Sequence, residues 1–105
     1  MKFGYREACL EHQTGPRHPE SPDRLRAIRR ALADRYGVEY VAADSATPER
    51  LGAIHDPDYV TEVEAFSEAG GGNWDADTVA CEATWAAARA SAGLAEWAVH
   101  RALAG

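Results

Sequence analysis

The fold depends most on one Ala-rich stretch, VACEATWAAARASAGLAEWAVHRALA at residues 79–104, which predicts a single long helix. Its charge is nearly confined to one narrow stripe of residues seven positions apart, Glu82, Arg89 and Glu96. Apolar residues line the two other sides, one with Ala83, Ala87, Ala90, Leu94 and Trp97 and one with Trp85, Ala88, Ala92, Ala95, Val99 and Leu103. A helix that is apolar over most of its circumference is normally buried in a larger protein. The sequence therefore predicts that a second copy covers the free side or that the chain is a piece of something longer.

Three earlier helices are predicted by one recurring signal, a helix-capping residue followed directly by proline. The pairs are Ser21-Pro22, Thr47-Pro48 and Asp56-Pro57. Gly37 stands where a left-handed residue would end the first of these helices, and Gly70–Gly72 end the third. Short aromatic and β-branched runs at 2–5 and 38–42 predict two strands. The loop NWDADT (73–78) then leads into the long helix.

The composition fits one small domain with a thin core. A chain of 105 residues is enough for a single domain, and no repeat or linker divides it. Leu, Ile, Val and Phe together supply only 16 residues, so few large apolar side chains are available for burial. Three Trp, four Tyr and the periodic segments nevertheless indicate that the chain folds.

The charge balance excludes two classes of partner. Acidic residues outnumber basic ones 17 to 11, a formal net charge of −6, whereas nucleic acids and anionic membranes require a basic patch. No apolar run approaches the roughly 20 residues of a membrane span. The segment 1–12 lacks the apolar region of a signal peptide, so we expect a cytoplasmic protein. Cys9 and Cys81 are isolated, which argues against a disulfide framework.

The candidate chemical residues do not by themselves specify a reaction. His12 and His18 lie six positions apart in a Pro-rich loop, a spacing unlike that of common zinc sites. With Cys9 nearby, a small Cys/His metal protein is one alternative. Asp75 and Asp77 share a loop and could face a hard cation, but two ligands are too few for a site. Capping of the following helix is their other interpretation.

Three segments together resemble a known family. They occur in the order HQTGPRHPESPDRLRAI (12–28), HDPDYV (55–60) and DADTVACEATWAAARASAG (75–93). This order is similar to the N-terminal part of the histone deacetylase superfamily. The branch it resembles most comprises the class II-like, acetoin-utilization and acetylpolyamine amidohydrolase proteins. The HPExPDR motif is the most specific of the three, and the resemblance covers essentially the whole chain.

The resemblance implies an α/β fold of the arginase-deacetylase type, in which helices flank a parallel sheet. Residues 1–105 would form the N-terminal part of a single deacetylase domain, mostly helical in this portion. Members of the family hold zinc with two aspartates and a histidine beside a His-His pair, and they hydrolyse acetylated amines such as acetyl-lysine or acetylpolyamines. The segments that carry these groups lie downstream of the matched region. We therefore assign no catalytic or metal-binding residue to this chain, and we expect it to be inactive alone.

Four residues match positions with a role in the family. Arg24 matches an arginine that lines an internal channel for acetate release, whereas its other interpretation is a solvated surface residue. Asp77 matches a rim aspartate that accepts hydrogen bonds from the substrate backbone, with N-capping of the next helix as its alternative. His18 and Pro19 fall in the first rim loop near the mouth of the active site. The resemblance thus predicts a rim and a product channel.

An interpretation from a different class of function remains open. The chain could be a stand-alone, non-catalytic helical module that dimerises through its C-terminal helix or binds a protein partner. Its support is the apolar circumference of that helix, which a second copy would cover.

Overall fold

The computed structural model describes residues 2–105 and contains two small sheets and four α-helices. The elements follow in the order β1 (Lys2–Gly4), a 3-10 helix (Glu7–Leu10), α1 (Pro22–Tyr36), β2 (Glu39–Val41), α2 (Pro48–Leu51), α3 (Pro57–Glu68), β3 (Gly71–Asn73), β4 (Val79–Cys81) and α4 (Thr84–Leu103). Strands β1 and β2 pair in parallel, with Phe3 opposite Tyr40, and α1 connects them. Strands β3 and β4 form an antiparallel hairpin. The predicted α/β class and parallel pair are confirmed.

The three proline-initiated helices begin where the sequence predicts. Ser21, Thr47 and Asp56 each accept a backbone N–H from the first turn with their side-chain oxygens, at 3.2, 3.2 and 2.8 Å. Gly37 ends α1 in the left-handed conformation with φ +55°, which glycine adopts without steric cost. These boundaries are local, because each depends on two or three adjacent residues.

The start of the long helix is corrected by the structure. Residues 79–81 form strand β4, and α4 begins only at Thr84. Gly71 explains the pairing: it has φ +75°, and a Cβ there would overlap the Ala80 backbone, so only glycine allows the strands to approach so closely. The Thr84 hydroxyl then accepts the N–H of Cys81 at 2.7 Å and marks the turn from strand into helix. The glycines predicted to end α3 thus also build a hairpin.

Arg29 joins α1 to the parallel strand pair. Its guanidinium lies 4.4 Å above the Tyr5 ring and 5.5 Å from the Tyr40 ring, within the range of cation–π attraction. The same group contacts the Glu7 carboxylate at 3.0 Å, and the Tyr40 hydroxyl donates to the Arg29 carbonyl at 2.8 Å. These contacts fix α1 beside the end of β1.

The core lies on one side of α4 and is thin, as the composition predicts. Ala87 and Ala90 are buried there, and Gly4 of β1 lies close to Leu94. The other side stays open near the end of the helix, where Leu103 is 82% exposed. Although α4 has 20 residues, no helix within residues 2–105 is both long and apolar enough to cross a membrane.

Candidate functional site

The structure brings two of the predicted rim residues into direct contact. The Nε2 atom of His18 lies 2.8 Å from the backbone carbonyl oxygen of Asp77, although 59 positions separate the residues. On the other side of the ring, the Glu20 N–H donates to His18 Nδ1 at 3.1 Å. Because Nδ1 accepts a hydrogen bond, the proton of the neutral ring is on Nε2, which donates it to the carbonyl. Pro19, between His18 and Glu20 in the sequence, is exposed and has no backbone N–H to donate.

The loop that carries His18 is stabilised by a hydrogen bond between two of its own residues. The Thr14 hydroxyl donates to the carbonyl of Glu20, and Thr14 is buried, with only 6% of its surface exposed. Glu20 is therefore fixed at both its backbone groups, by Thr14 at the carbonyl and by His18 at the N–H. This closure sets the position of the imidazole before any ligand arrives.

The second loop is ordered by Asp75. Its Oδ1 atom accepts the backbone N–H groups of Asp77 and Thr78, both at 2.9 Å. The pKa of Asp75 is lowered from its ordinary value, chiefly by the N–H of Asp77 and then by the Thr78 hydroxyl, so the loop contains a stable carboxylate. Trp74 completes the turn by donating its N–H to the Thr78 carbonyl at 2.8 Å.

Asp77 does not cap the next helix, so that alternative is wrong. The N-cap position of α4 is Ala83, which offers no side-chain hydrogen bond. The Asp77 side chain is exposed, and no hydrogen bond or ion pair within residues 2–105 engages its carboxylate. It can accept hydrogen bonds from a molecule in solution.

Arg24 lies in the first turn of α1, directly after the His18 loop, and its N–H donates to the Ser21 carbonyl at 3.1 Å. It is an exposed residue, as its surface interpretation predicts, and it also lines a cavity of about 400 Å³. The cavity opens between the end of β1, the 3-10 helix, the start of α1 and α4. Its polar lining includes Arg6, Cys9, His12, Glu20, Ser21 and Ser91. The Arg6 guanidinium is bound to the Ala43 carbonyl at 2.6 Å, whereas that of Arg24 has no protein partner in the part of the chain described. A free guanidinium can bind a carboxylate through two hydrogen bonds.

Three residues that line the cavity form a polar chain that the sequence did not predict. His12 Nδ1 lies 2.7 Å from the Thr84 hydroxyl, and His12 Nε2 lies 3.7 Å from the Glu20 carboxylate. Both hydroxyl and imidazole line the cavity. No local pattern marks Thr84, because its partner is 72 positions away.

The proposed Cys/His metal protein is not supported by the arrangement of these side chains. His12 faces Thr84 and His18 faces Asp77, so the two imidazoles serve different contacts. Across residues 2–105, no three His, Cys, Asp or Glu side chains come together where they could hold a metal ion. The described residues therefore do not fit a zinc site.

The two free cysteines have opposite ionisation behaviour. Partial burial opposes ionisation of Cys81, but hydrogen bonds from the backbone N–H of Gln13 and the Thr84 hydroxyl, with two further N–H groups, outweigh it and lower the pKa of the thiol. Burial raises the pKa of Cys9, and the charge of Arg6 offsets this only in part. Cys81 is thus expected to have the larger thiolate fraction of the two at neutral pH.

Comparison with known proteins matches most of the chain to one family. The family model described as histone deacetylase domain matches residues 18–105. An uncharacterised protein of Synechocystis sp. is 36% identical over 80 residues, covering 70% of this chain and 26% of that protein. A histone deacetylase-like amidohydrolase of Pseudomonas aeruginosa is 32% identical over 124 aligned positions, covering 98% of this chain and 32% of that protein.

A solved structure gives the same result. The crystal structure of the HDA15 HD domain matches this fold with a TM-score of 0.79 and 32% identity, covering 90% of this chain and 30% of that one. The predicted arginase-deacetylase-type fold is thereby confirmed, in its N-terminal part. The chain spans about a third or less of the length of these relatives. By sequence and by fold, the chain belongs to the histone deacetylase family.

Proposed function

We propose that this chain is the N-terminal part of a zinc-dependent deacetylase domain that removes acetyl groups from acetylated amines, either acetyl-lysine or acetylpolyamines. The observation that carries the proposal is Arg24, an exposed residue that lines the cavity of about 400 Å³ and whose guanidinium has no protein partner among residues 2–105. Hydrolysis of an acetamide produces acetate, a small anion that such a group binds well. The match along nearly the whole chain to an amidohydrolase of the family supports the same reaction class.

The roles of the named residues follow from their chemistry. Arg24 binds the acetate product by charge and paired hydrogen bonds, helped by its position in the first turn of α1. Asp77 accepts hydrogen bonds from substrate amide groups at the rim, because its side chain is exposed and its carboxylate has no partner among residues 2–105. His18 and Pro19 belong to the adjoining rim loop. The family is generally zinc-dependent, but the described residues supply no zinc site, so no hydrolytic step is assigned to them.

The experiment compares the 105-residue chain with a chimera. In the chimera, residues 1–105 replace the matching segment of the Pseudomonas amidohydrolase, to which the chain aligns over 98% of its length. We expect no turnover of an acetyl-lysine peptide or an acetylpolyamine by the chain alone. The chimera is expected to turn over at least one of them and to lose this activity to a chelator.

Substitutions in the chimera test the channel assignment. Arg24→Met should lower turnover about ten- to a hundredfold, the usual effect of losing hydrogen bonds to a charged group. Arg26→Met is the matched control, because Arg26 lies on the same helix but its guanidinium is already paired with Asp23 at 2.7 Å. Equal effects of the two substitutions would refute the channel role. Chelator-sensitive turnover by the chain alone, or a folded, zinc-loaded chimera without activity, would refute the proposed function.

The dimerising module is the second candidate, and the open side of α4 is the observation that favours it. Val99 is 56% and Leu103 82% exposed, on the side that a second copy would cover. Sedimentation of the chain and of the Leu103→Asp variant separates the candidates. A compact dimer that the substitution dissociates supports the module, whereas a monomer unaffected by it supports the deacetylase proposal. The predicted cytoplasmic location and lack of nucleic-acid binding stay predictions.

A further inference from the structure

We propose that His18 is a positioning residue that holds the Asp77 loop in place, rather than a residue that binds substrate. The inference rests on the proposed function only in taking the carboxylate of Asp77 as a rim group. The contact itself is a property of the described structure. The resemblance implies that His18 binds substrate at the rim, whereas this contact gives it the role of holding the Asp77 loop.

The imidazole of His18 has no polar atom to spare. Its Nδ1 accepts the N–H of Glu20 at 3.1 Å, and its Nε2 donates to the carbonyl of Asp77 at 2.8 Å. A neutral imidazole has one donor and one acceptor, so both are used. A substrate group could bind the ring only by displacing one of these partners.

The backbone of Asp77 is fixed on both sides of its side chain. The carbonyl of Asp77 is held by His18 at 2.8 Å, and its N–H is held by Asp75 at 2.9 Å. With both backbone groups hydrogen-bonded, rotation of its own side chain is the main freedom left to the carboxylate. A hydrogen-bond acceptor held in this way loses less entropy when it binds a partner.

Across residues 2–105, the contact between His18 and Asp77 is the sole hydrogen bond or ion pair between the loop at 11–21 and the loop at 74–78. Hydrogen bonds of Glu11 and Gln13 with the Cys81 thiol join the first loop to β4, but they do not reach residues 74–78. The first loop has an internal hydrogen bond of its own, from the buried Thr14 hydroxyl to the Glu20 carbonyl. The hydrogen bond from His18 therefore holds the loop at 74–78, which is exposed throughout, against the loop at 11–21.

Two substitutions distinguish the hydrogen bond at Nδ1 of His18 from the hydrogen bond at Nε2. His18→Asn keeps an acceptor at the position of Nδ1 for the Glu20 N–H, but the asparagine side chain is too short to reach Asp77. His18→Gln is the rescue variant, because its amide N–H₂ extends to the position of Nε2. The readout is amide hydrogen exchange of Asp77 and Thr78 in the 105-residue chain. The amide of Asp58, which is bound at another helix start, is the internal control.

We expect His18→Asn to speed exchange at Asp77 and Thr78 about three- to tenfold, and His18→Gln to stay within about twofold of wild type. The ring ¹⁵N spectrum should show an unprotonated Nδ1 and a protonated Nε2 in wild type. Unchanged exchange in His18→Asn, equal acceleration in both variants, or a proton on Nδ1 would overturn the proposal.

A second readout separates this inference from the proposed function. In the chimera, His18→Asn should raise KM for the acetylated substrate while kcat stays within about twofold, and His18→Gln should restore KM. Faster loop exchange with unchanged KM would uphold the positioning contact and refute the rim role of Asp77. Unchanged exchange would overturn the positioning role whatever the activity of the chimera.

Discussion

Replacement of Ser67 by alanine tests how the thin core is held together. Ser67 lies on α3 and is fully buried. Its hydroxyl oxygen accepts the N–H of Trp85 at 2.9 Å, and its proton is shared between the carbonyls of Cys81 and Glu82, at 2.9 and 2.8 Å. The N-cap of α4, Ala83, has no side-chain acceptor to offer, so α3 supplies the missing cap from outside.

The cost of the substitution follows from these contacts. Alanine in place of the serine would leave the Trp85 N–H and one carbonyl unsatisfied, and each such group costs about 1–3 kcal/mol when buried. Some relaxation is expected, so we place the loss of unfolding free energy at about 2–4 kcal/mol. A small domain has about 5–15 kcal/mol in total. Because about 1 kcal/mol shifts Tm by roughly 4–8 °C in a chain of this size, Tm should fall by about 8 °C or more.

The assay is urea unfolding followed by tryptophan fluorescence, with Thr61→Ala as the matched control. Thr61 lies on the same helix, but its hydroxyl is exposed and donates only to the Pro57 carbonyl one turn earlier. The control should cost less than about 0.5 kcal/mol. If Ser67→Ala and Thr61→Ala are destabilised equally, α4 is not capped by Ser67 and the reasoning is wrong.

A close backbone approach, two thiols and one carboxylate give further measurable outcomes. Gly93→Ala should destabilise by more than about 2 kcal/mol in urea unfolding, because its Cβ would overlap a backbone carbonyl, whereas Gly52→Ala meets only ordinary contacts at 3.5 Å and should be nearly neutral. Iodoacetamide should modify Cys81 faster than Cys9 at about pH 7.5, followed by peptide mass spectrometry, and the reverse order would contradict the assigned pKa shifts. The lowered pKa of Asp75 implies stabilisation that is complete above its ordinary value of 3.8 and lost as pH falls through its lower folded value. The stability difference between wild type and Asp75→Ala should therefore narrow below about pH 4, and a difference independent of pH would contradict this.

Helix boundaries are predictable where the decisive contacts are local. Ser21 accepts an N–H two residues ahead, and the following proline already has the φ of a helix. Gly37 likewise ends α1 by its own backbone conformation. The sequence contains all the participants of these contacts within one turn, so a pattern of three residues is enough.

The hairpin of β3 and β4 escapes prediction because its cause is not local. The glycines at 70–72 are a valid helix end, and nothing near them indicates that Gly71–Asn73 pair with residues 79–81. The run at 79–83 resembles the continuation of an Ala-rich helix until the cross-strand partner is known. Secondary structure in this segment is set by packing against α3 through Ser67, which lies 14 positions before Cys81.

In the candidate site, too, single residues are predictable from local motifs, whereas contacts between distant residues are not. The motif resemblance identifies His18 and Asp77 separately, yet their contact spans 59 positions and depends on which ring nitrogen carries the proton. No pattern in the sequence contains that information. The His12–Thr84 contact escapes prediction for the same reason, since a threonine in an Ala-rich stretch has no distinguishing signal.

Two features of the described structure, the small parallel sheet and the open side of α4, bear on the choice between the deacetylase domain and the dimeric module. Strands β1 and β2 form a parallel pair of three residues each, and parallel sheets are normally covered by helices on both faces and built from more strands. Helix α4 lies against β1 through Leu94 and Trp97, near Gly4, but leaves Leu103 open to solvent. A dimer through α4 would cover the helix without extending the sheet. Additional strands and helices of one deacetylase domain would satisfy both requirements, so these two features favour that domain over the dimeric module.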